Sequence, residues 1–295
     1  MALIQREYGN TGIQVSALGF GAGHIGDPKT GEDEVGSLLN QALDMGITLF
    51  DTARGYGVSE ERIGRHLSYR RKDFVISTKV GYGIDGVPDW TYECILAGVD
   101  RALSTMRTDY IDIVHLHSCT LEILEQGDVI RALGKAVQDG KVRAAAYSGE
   151  NCELQFAVTC GYFDGIQCSV NLCDQRSLEE IIPTAIKNGM GIIAKRPLAN
   201  SPWRFDERPY GNYCEDYWLR LRKMTLPSEI SDFHETALRF TAFSPGVSSA
   251  IVGSANIEHI RKNIELIEKG PLPKELQKAI YDGFRDADEE WIGLV

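Results

Sequence analysis

Short runs rich in β-branched and aromatic residues recur along the chain at 16–21, 47–51, 74–79, 110–117, 142–148, 165–170, 191–195 and 249–252. Their length and near-continuous apolar character are those of strands buried on both faces. Between and after them, apolar residues return with the 3.6-residue helical period near 32–45, 59–69, 91–107, 126–139, 151–161, 177–189, 228–243 and 256–268. Strict alternation of eight strands with eight helices predicts a parallel (β/α)8 barrel, the TIM-barrel architecture, as one domain over 1–295. An amino-terminal hairpin precedes it, and a carboxyl-terminal helix over 273–292 follows it. No motif recurs at a fixed period, and no low-complexity block interrupts the alternation.

The rival for such a pattern is an open doubly wound sheet. It requires a Gly-x-Gly-x-x-Gly turn after an early strand. The nearest segment, Gly19-Phe20-Gly21-Ala22-Gly23, lacks the third glycine at the needed offset. The longest gap in the pattern runs from Lys195 to Ser228. Within it 215–221 predicts a short helix, and a connection of that length in a compact domain reads as a lid or binding element. Trp203, Tyr210 and Trp218 in that gap suit an apolar or sugar surface, or simply pack the loop to the barrel.

Charge narrows the possible partners. With 31 basic and 42 acidic side chains the net charge is −11, which argues against nucleic acid or an anionic membrane as a partner. An anionic ligand must be held by local cations or backbone amides. The seven cysteines are scattered, with no Cys-x-x-Cys pair. Neither a disulfide framework nor a zinc or other metal site is expected, and a reducing, cytoplasmic compartment fits. No run approaches the roughly 20 apolar residues of a membrane span. The sequence leaves the oligomeric state open.

Chemistry gathers at strand ends. Asp51 closes the strand-like run ending Leu49-Phe50, and Tyr56 follows in Asp51-Thr52-Ala53-Arg54-Gly55-Tyr56-Gly57, ahead of Ser59-Glu60 and Gly64. Lys79 ends the next strand and His117 the one after. Barrel enzymes carry their sites at the carboxyl ends of the strands. Singly, each residue has an ordinary reading: a turn carboxylate, a rim aromatic, a solvated lysine. His115 shares the strand parity of His117 but lies one layer deeper, and reads as a core histidine.

In order and spacing, Asp51-Thr52-Ala53, Tyr56-Gly57 with Ser59-Glu60, Thr78-Lys79 and His117 resemble the aldo-keto reductase family. The likeness runs from about Gly9 to about Asn263. It takes in the segment 12–21, Asp109-Tyr110-Ile111-Asp112, Arg196-Pro197-Leu198 and Ile251-Val252-Gly253. It implies carbonyl reduction, or alcohol oxidation, by hydride transfer, with an aldehyde, ketone or sugar as substrate. Tyr56 would be the general acid. A free tyrosine, with a pKa of about 10, donates poorly near neutrality. Lys79 would favour its phenolate, Asp51 would hold Lys79, and His117 would orient the carbonyl.

For the cofactor, the resemblance implies NADPH, with NADH as the other choice. Ser148 and Gln167 match the carboxamide positions, while Gly149 stands where the family has asparagine. Asn151 is a possible substitute whose ordinary reading is a helix cap. Lys195 stands where the family often has a stacking aromatic. Its stem would cover the ring, and its ammonium, with Arg196 in the Arg196-Pro197-Leu198 turn, would offset pyrophosphate charge. Gly253, Ser254, His259 and Asn263 fall at the adenosine end, His259 replacing the arginine that typically grips a 2′-phosphate. A different class of function also suits these residues: a cofactor-binding sensor or auxiliary subunit with little turnover.

Overall fold

Two interleaved sets of side chains, alternating along each strand, decide where everything sits. The computed structural model describes residues 3–294; Met1, Ala2 and Val295, the outermost positions of the expected 1–295 domain, lie outside the described residues. An antiparallel hairpin, β1 (Gln5–Glu7) with β2 (Gln14–Ser16), comes first. Eight strands then close a parallel barrel: β3 (Leu18–Gly21), β4 (Leu49–Asp51), β5 (Val75–Val80), β6 (Ile111–His117), β7 (Val142–Ser148), β8 (Gly165–Ser169), β9 (Gly191–Lys195) and β10 (Ser249–Val252). Each pairs with the next, and β10 returns to β3. The expected (β/α)8 architecture is present.

One parity of the strands points into the barrel. At the amino-terminal end its interior is apolar, with Leu49, Val75, Ile113, Ala144, Ala146 and Ile193 packed around Tyr8, Ile13 and Val15 of the hairpin. Tyr8 is fully buried there. It fits because two facing positions have no side chain: a Cβ at Gly165 would lie 2.0 Å from the Tyr8 hydroxyl and one at Gly191 2.3 Å from its ring. The hairpin therefore plugs the bottom of the barrel. Going up the same parity, the interior turns polar, through Ser77, Asp51 and His115 to Lys79, Ser148 and Gln167.

The other parity faces the helices, which run from α1 (Glu32–Asp44), α2 (Ser59–Leu67), α3 (Tyr92–Met106) and α4 (Leu121–Gln126) to α5 (Asp128–Gln138) and α6 (Asn151–Thr159). They continue with α7 (Arg176–Glu180), α8 (Ile182–Lys187), α9 (Glu215–Lys223), α10 (Phe233–Ala242), α11 (Ile257–Glu268) and α12 (Lys274–Ala287). In α5, Val129, Ile130, Ala132, Leu133 and Ala136 form the buried stripe expected of a barrel helix. No described helix is long and apolar enough to cross a membrane.

Several expected boundaries shift for local reasons. The run 16–21 divides at Ala17, its first residue completing the hairpin and the rest forming the first barrel strand. The helix expected over 126–139 starts at Asp128, because Gly127 takes a left-handed φ of 80° that separates it from the short α4 ahead of it. The one over 177–189 breaks at Ile181, just ahead of Pro183, which has no N–H to donate. That over 228–243 starts at Phe233, where the Asp232 carboxylate accepts from Glu235 N at 3.1 Å and caps it. The last helix stops at Ala287, and 288–294 returns across the carboxyl ends of the strands.

Candidate active site

Asp51 is the last residue of β4 and faces inward, so its carboxylate is buried at the top of the barrel. Lys79 reaches it from β5: Nζ donates to Asp51 Oδ2 and to the Thr52 carbonyl, both at 2.7 Å. The other carboxylate oxygen accepts from Ser77 Oγ at 2.7 Å and from Gln167 Nε2 at 2.8 Å. Gln167 in turn accepts from Ser148 Oγ at 3.2 Å. A hydrogen-bonded chain thus runs from Lys79 through Asp51 and Gln167 to Ser148.

Burial alone would neutralise both members of this ion pair. For Lys79 the burial penalty is outweighed first by Asp51 and then by Tyr56, and its pKa is raised. For Asp51 burial pushes up, but Lys79 and then His115 outweigh it, and the pKa falls below the ordinary carboxylate value. Each therefore carries its charge because the other does.

Tyr56 stands on the turn between β4 and α2, and that turn is tightly held. Thr52 Oγ1 and Ser59 Oγ lie 2.8 Å apart, Ser59 Oγ donates to the Ala22 carbonyl at 2.9 Å, and Val58 N donates to the Gly26 carbonyl at 3.1 Å. A Cβ at Gly26 would lie 1.9 Å from the Tyr56 carbonyl oxygen, so the close approach of the two loops requires glycine there. Glu60 is buried and accepts from Thr78 Oγ1 at 2.6 Å, tying the start of α2 to β5. The Ser59-Glu60 pair thus anchors the loop that presents Tyr56. The Lys79 ammonium lies 5.0 Å from the centre of the Tyr56 ring.

The two histidines of β6 occupy different depths. His115 is fully buried, with Nε2 3.0 Å from Ser77 Oγ, and burial drives its pKa down to about 3. His117, at the strand end, is partly exposed, and its ring sits 6.4 Å from that of Tyr56 in an edge-on arrangement. Burial, then the Lys79 ammonium, lowers its pKa to about 4. Asp51, Tyr56, Lys79 and His117 come together at one end of the barrel.

Beside them opens a cleft of about 900 Å³. Asp51, Tyr56 and His24 line its inner end, Arg196, Pro197 and Leu198 one wall, and Gly253, Ser254, His259 and Asn263 its outer part. Its floor is bare backbone where Gly21 and Gly253 meet, since a Cβ on Gly253 would lie 2.8 Å from the Gly21 carbonyl oxygen. The wall is strained: Arg196, Ala199, Asn200 and Ser201 all have positive φ. The outer end holds groups that no local pattern announced. His234 Nε2 lies 2.6 Å from Asn263 Oδ1, and Asp232 and Lys262 also border the cleft. Asp232 and His234 come from the start of α10, Lys262 and Asn263 from the middle of α11.

Several sequence-derived candidates are engaged elsewhere. Lys195 is not part of the cleft lining; its ammonium pairs with buried Glu150 at 3.1 Å. Arg196 reaches the cleft wall, but its guanidinium is hydrogen-bonded to the Leu294 carbonyl and the Tyr213 hydroxyl. Asn151 does not cap its helix. Its amide forms a two-way pair with the backbone of Gly293, donating to the carbonyl at 3.1 Å and accepting from the N–H at 2.7 Å. In the long connection, Trp203 stacks on Phe233 and Trp218 donates to the Phe205 carbonyl, so these tryptophans pack the loop. Beyond Arg196, Pro197 and Leu198, the connection contributes Asn200, Ser201, Arg204, Asn212 and Tyr213 to the cleft. Among the described residues no cluster of three or more His, Cys, Asp or Glu side chains could hold a metal ion.

The model of the aldo/keto reductase family matches residues 17–282. An L-galactose dehydrogenase of Arabidopsis thaliana is 28% identical over 280 residues, covering 89% of this chain and 87% of its own. A probable voltage-gated potassium channel subunit beta of the same plant is 28% identical over 309 residues, covering 90% and 92%. Among solved structures, the holo form of an aldo-keto reductase from Bacillus halodurans superposes with a TM-score of 0.81. It is 26% identical and covers 95% of this chain and 96% of its own.

Proposed function

The chain belongs to the aldo/keto reductase family of oxidoreductases, and we propose that it interconverts a small carbonyl compound and its alcohol with NADPH as the preferred cofactor. The observation that carries this reading is the meeting of Tyr56, Lys79, Asp51 and His117 beside a cleft of about 900 Å³ that suits a dinucleotide. The bare glycine floor and the amino terminus of α11, capped by Asn256, are features that accept an extended anionic ligand. Ser148 and Gln167 would hold the carboxamide through the hydrogen-bonding capacity they retain. Pro197 and Leu198 would support the middle of the molecule, with Arg196 exchanging its tail contact for pyrophosphate. Ser254, His259 and Asn263 would take the adenosine end. Lys195, paired with Glu150, would act there only at a distance.

The bound nicotinamide would supply or accept the hydride. The rest of the reaction is assigned to this chain. Reduction leaves negative charge on the carbonyl oxygen, and Tyr56 delivers the proton that neutralises it. The Lys79 cation favours the phenolate that remains, and Asp51 keeps that cation charged in a buried place. His117, neutral near pH 7, offers the oxygen a hydrogen bond. Its low pKa suits a donor that orients without competing for the proton. A sugar or other small aldehyde or ketone fits the mixed aromatic and polar surroundings, and the Arabidopsis thaliana L-galactose dehydrogenase supports a sugar. We assign the protein to the cytoplasm, where its seven unpaired thiols would stay reduced.

A second reading, a cofactor-loaded auxiliary subunit with little turnover, draws on the relative described as a channel subunit. Steady-state oxidation of NADPH and NADH with a panel of aldehydes, ketones and aldoses separates the two. Turnover that collapses in Tyr56→Phe supports the reductase; tight cofactor binding with no turnover on any carbonyl supports the subunit.

A further inference from the structure

His117 does not stand alone at the end of β6. Its ring is covered by Tyr82 from the loop after β5, with ring centres 5.5 Å apart and planes 26° from parallel. The Tyr82 hydroxyl lies 2.9 Å from His117 Nδ1. We propose that Tyr82 is a positioning residue that donates its hydroxyl proton to His117 Nδ1, fixing the imidazole as the Nε2–H tautomer so that the free N–H points at the substrate oxygen.

A neutral imidazole presents two unlike nitrogens. One nitrogen carries a proton and the other a lone pair, and the partner of one decides the role of the other. If Nδ1–H donated to the phenol oxygen, Nε2 would be left as an acceptor, and no hydrogen bond to a carbonyl would be possible. A phenol is a strong donor and a weak acceptor, so donation from Tyr82 to the Nδ1 lone pair is the stronger of the two arrangements. Burial raises the Tyr82 pKa, which keeps the phenol protonated, and burial lowers that of His117, which keeps the lone pair free near neutrality.

The loop around Tyr82 is built to hold this geometry. Arg54, on the turn that also carries Tyr56, donates from Nε to the Tyr82 carbonyl at 3.1 Å. Trp90 backs the Tyr82 ring at 5.9 Å and occupies the space over Gly81, where a Cβ would lie 2.0 Å from the indole. Gly55 leaves room for the hydroxyl: a Cβ there would come within 2.9 Å of it. The Tyr56 loop and the Tyr82 loop are therefore registered against each other through Arg54 and Gly55. One sets the position of the proton donor, the other the orientation of the histidine.

This deepens the reductase reading and rests on it for its effect on rate. The tautomer itself can be observed without any turnover. Histidine side-chain ¹⁵N shifts, recorded at pH 7.5 on the full chain and assigned with His117→Gln, should show Nδ1 of His117 unprotonated and Nε2 protonated. Tyr82→Phe keeps the ring stack and removes the hydroxyl. It should give a mixture of tautomers and lower kcat/KM about tenfold, the worth of one lost hydrogen bond, with cofactor affinity unchanged and the melting temperature lowered by only a few degrees. A wild-type protein with Nδ1 protonated overturns the proposal, whatever the variant does. So does a Tyr82→Phe protein that keeps the wild-type tautomer and kcat/KM. The expected tautomer in a protein that turns over no carbonyl would leave the positioning intact and defeat the reductase reading instead.

Discussion

Asp51 and Lys79 are joined by a 2.7 Å ion pair between two buried side chains, and each stays charged through the other. Removing one partner leaves an uncompensated charge inside the barrel. Lys79→Met should therefore destabilise the fold by about 3 kcal/mol, at the low end for a broken buried pair, because Ser77 and Gln167 still donate to Asp51. Chemical denaturation measures this. A loss below about 1 kcal/mol would mean the carboxylate takes up a proton and the pair matters little to stability.

In the proposed mechanism the same pair would bear on activity through Tyr56. Tyr56→Phe should lower kcat on the order of 10²-fold or more with little change in cofactor affinity, and Lys79→Met should be comparably damaging. If lysine acts only by tuning the tyrosine, the double variant should be scarcely worse than either single one. Effects that multiply in full would separate the two residues into independent roles.

The barrel was legible from the sequence because each strand is a short apolar run and each helix has its own period. Asp51, Lys79 and His117 stand out because a carboxylate, an ammonium and an imidazole interrupt those runs at their carboxyl ends, and Tyr56 because it follows Asp51 on the turn into the next helix. Shared parity turns both His115 and His117 inward, and position along the strand separates them by depth. What remained hidden depends on distant contacts. Nothing near Tyr8 says that glycines at 165 and 191 make room for it inside the barrel. Lys195 looked like a free rim cation because its partner, Glu150, lies 45 positions earlier on another strand's loop. Arg196 and Asn151 are taken up by the returning tail at 293–294, which no local pattern could reveal. Ser77 was within reach, since it shares the parity of Lys79 two residues on.

His117 gives a stability signature in acid. An unfolded histidine has a pKa of about 6.5, and burial lowers that of folded His117 to about 4. Between those values the unfolded chain binds a proton that the folded one does not. The contribution is present above pH 6.5 and is lost as pH falls toward 4. The wild type should therefore lose about 2 kcal/mol relative to His117→Gln between pH 6.5 and pH 4.5. Parallel denaturation curves over that range would show that His117 charges freely in the folded protein.

Asp174 has the opposite sign. Burial, then Glu150, pushes its pKa up to about 7 despite Arg220 at 3.8 Å and the Tyr217 hydroxyl at 3.2 Å. Folded Asp174 keeps its proton after the unfolded side chain has lost it near pH 3.9. Its contribution is full below that value and disappears as pH rises through 7. Asp174→Asn stays neutral throughout, so its stability relative to the wild type should climb from pH 4 to pH 7 and then level off. A relative stability that does not move with pH would mean that Arg220 keeps the carboxylate ionised.

With the cofactor placed as proposed, the outer end of the cleft would decide between NADPH and NADH. His259 stands there with Nδ1 3.2 Å from Ser254 Oγ, so its ring has one nitrogen left to offer a 2′-phosphate. Lys262 borders the same space as a cation, and Asp232 as a carboxylate opposing a second negative group. These partly cancel, and we expect only a modest NADPH preference, about tenfold, equivalent to one ordinary hydrogen bond. His259→Arg adds a fixed charge and a forked donor and should strengthen that preference by about 1 to 2 kcal/mol. Asp232→Asn keeps an oxygen to cap α10 but removes the opposing charge, and should move it the same way. Dissociation constants for both cofactors, from fluorescence titration of the wild type and the two variants, provide the test. Tighter binding of NADH by the wild type, left unchanged by either substitution, would show that the phosphate does not reach His259 and that NAD is the cofactor.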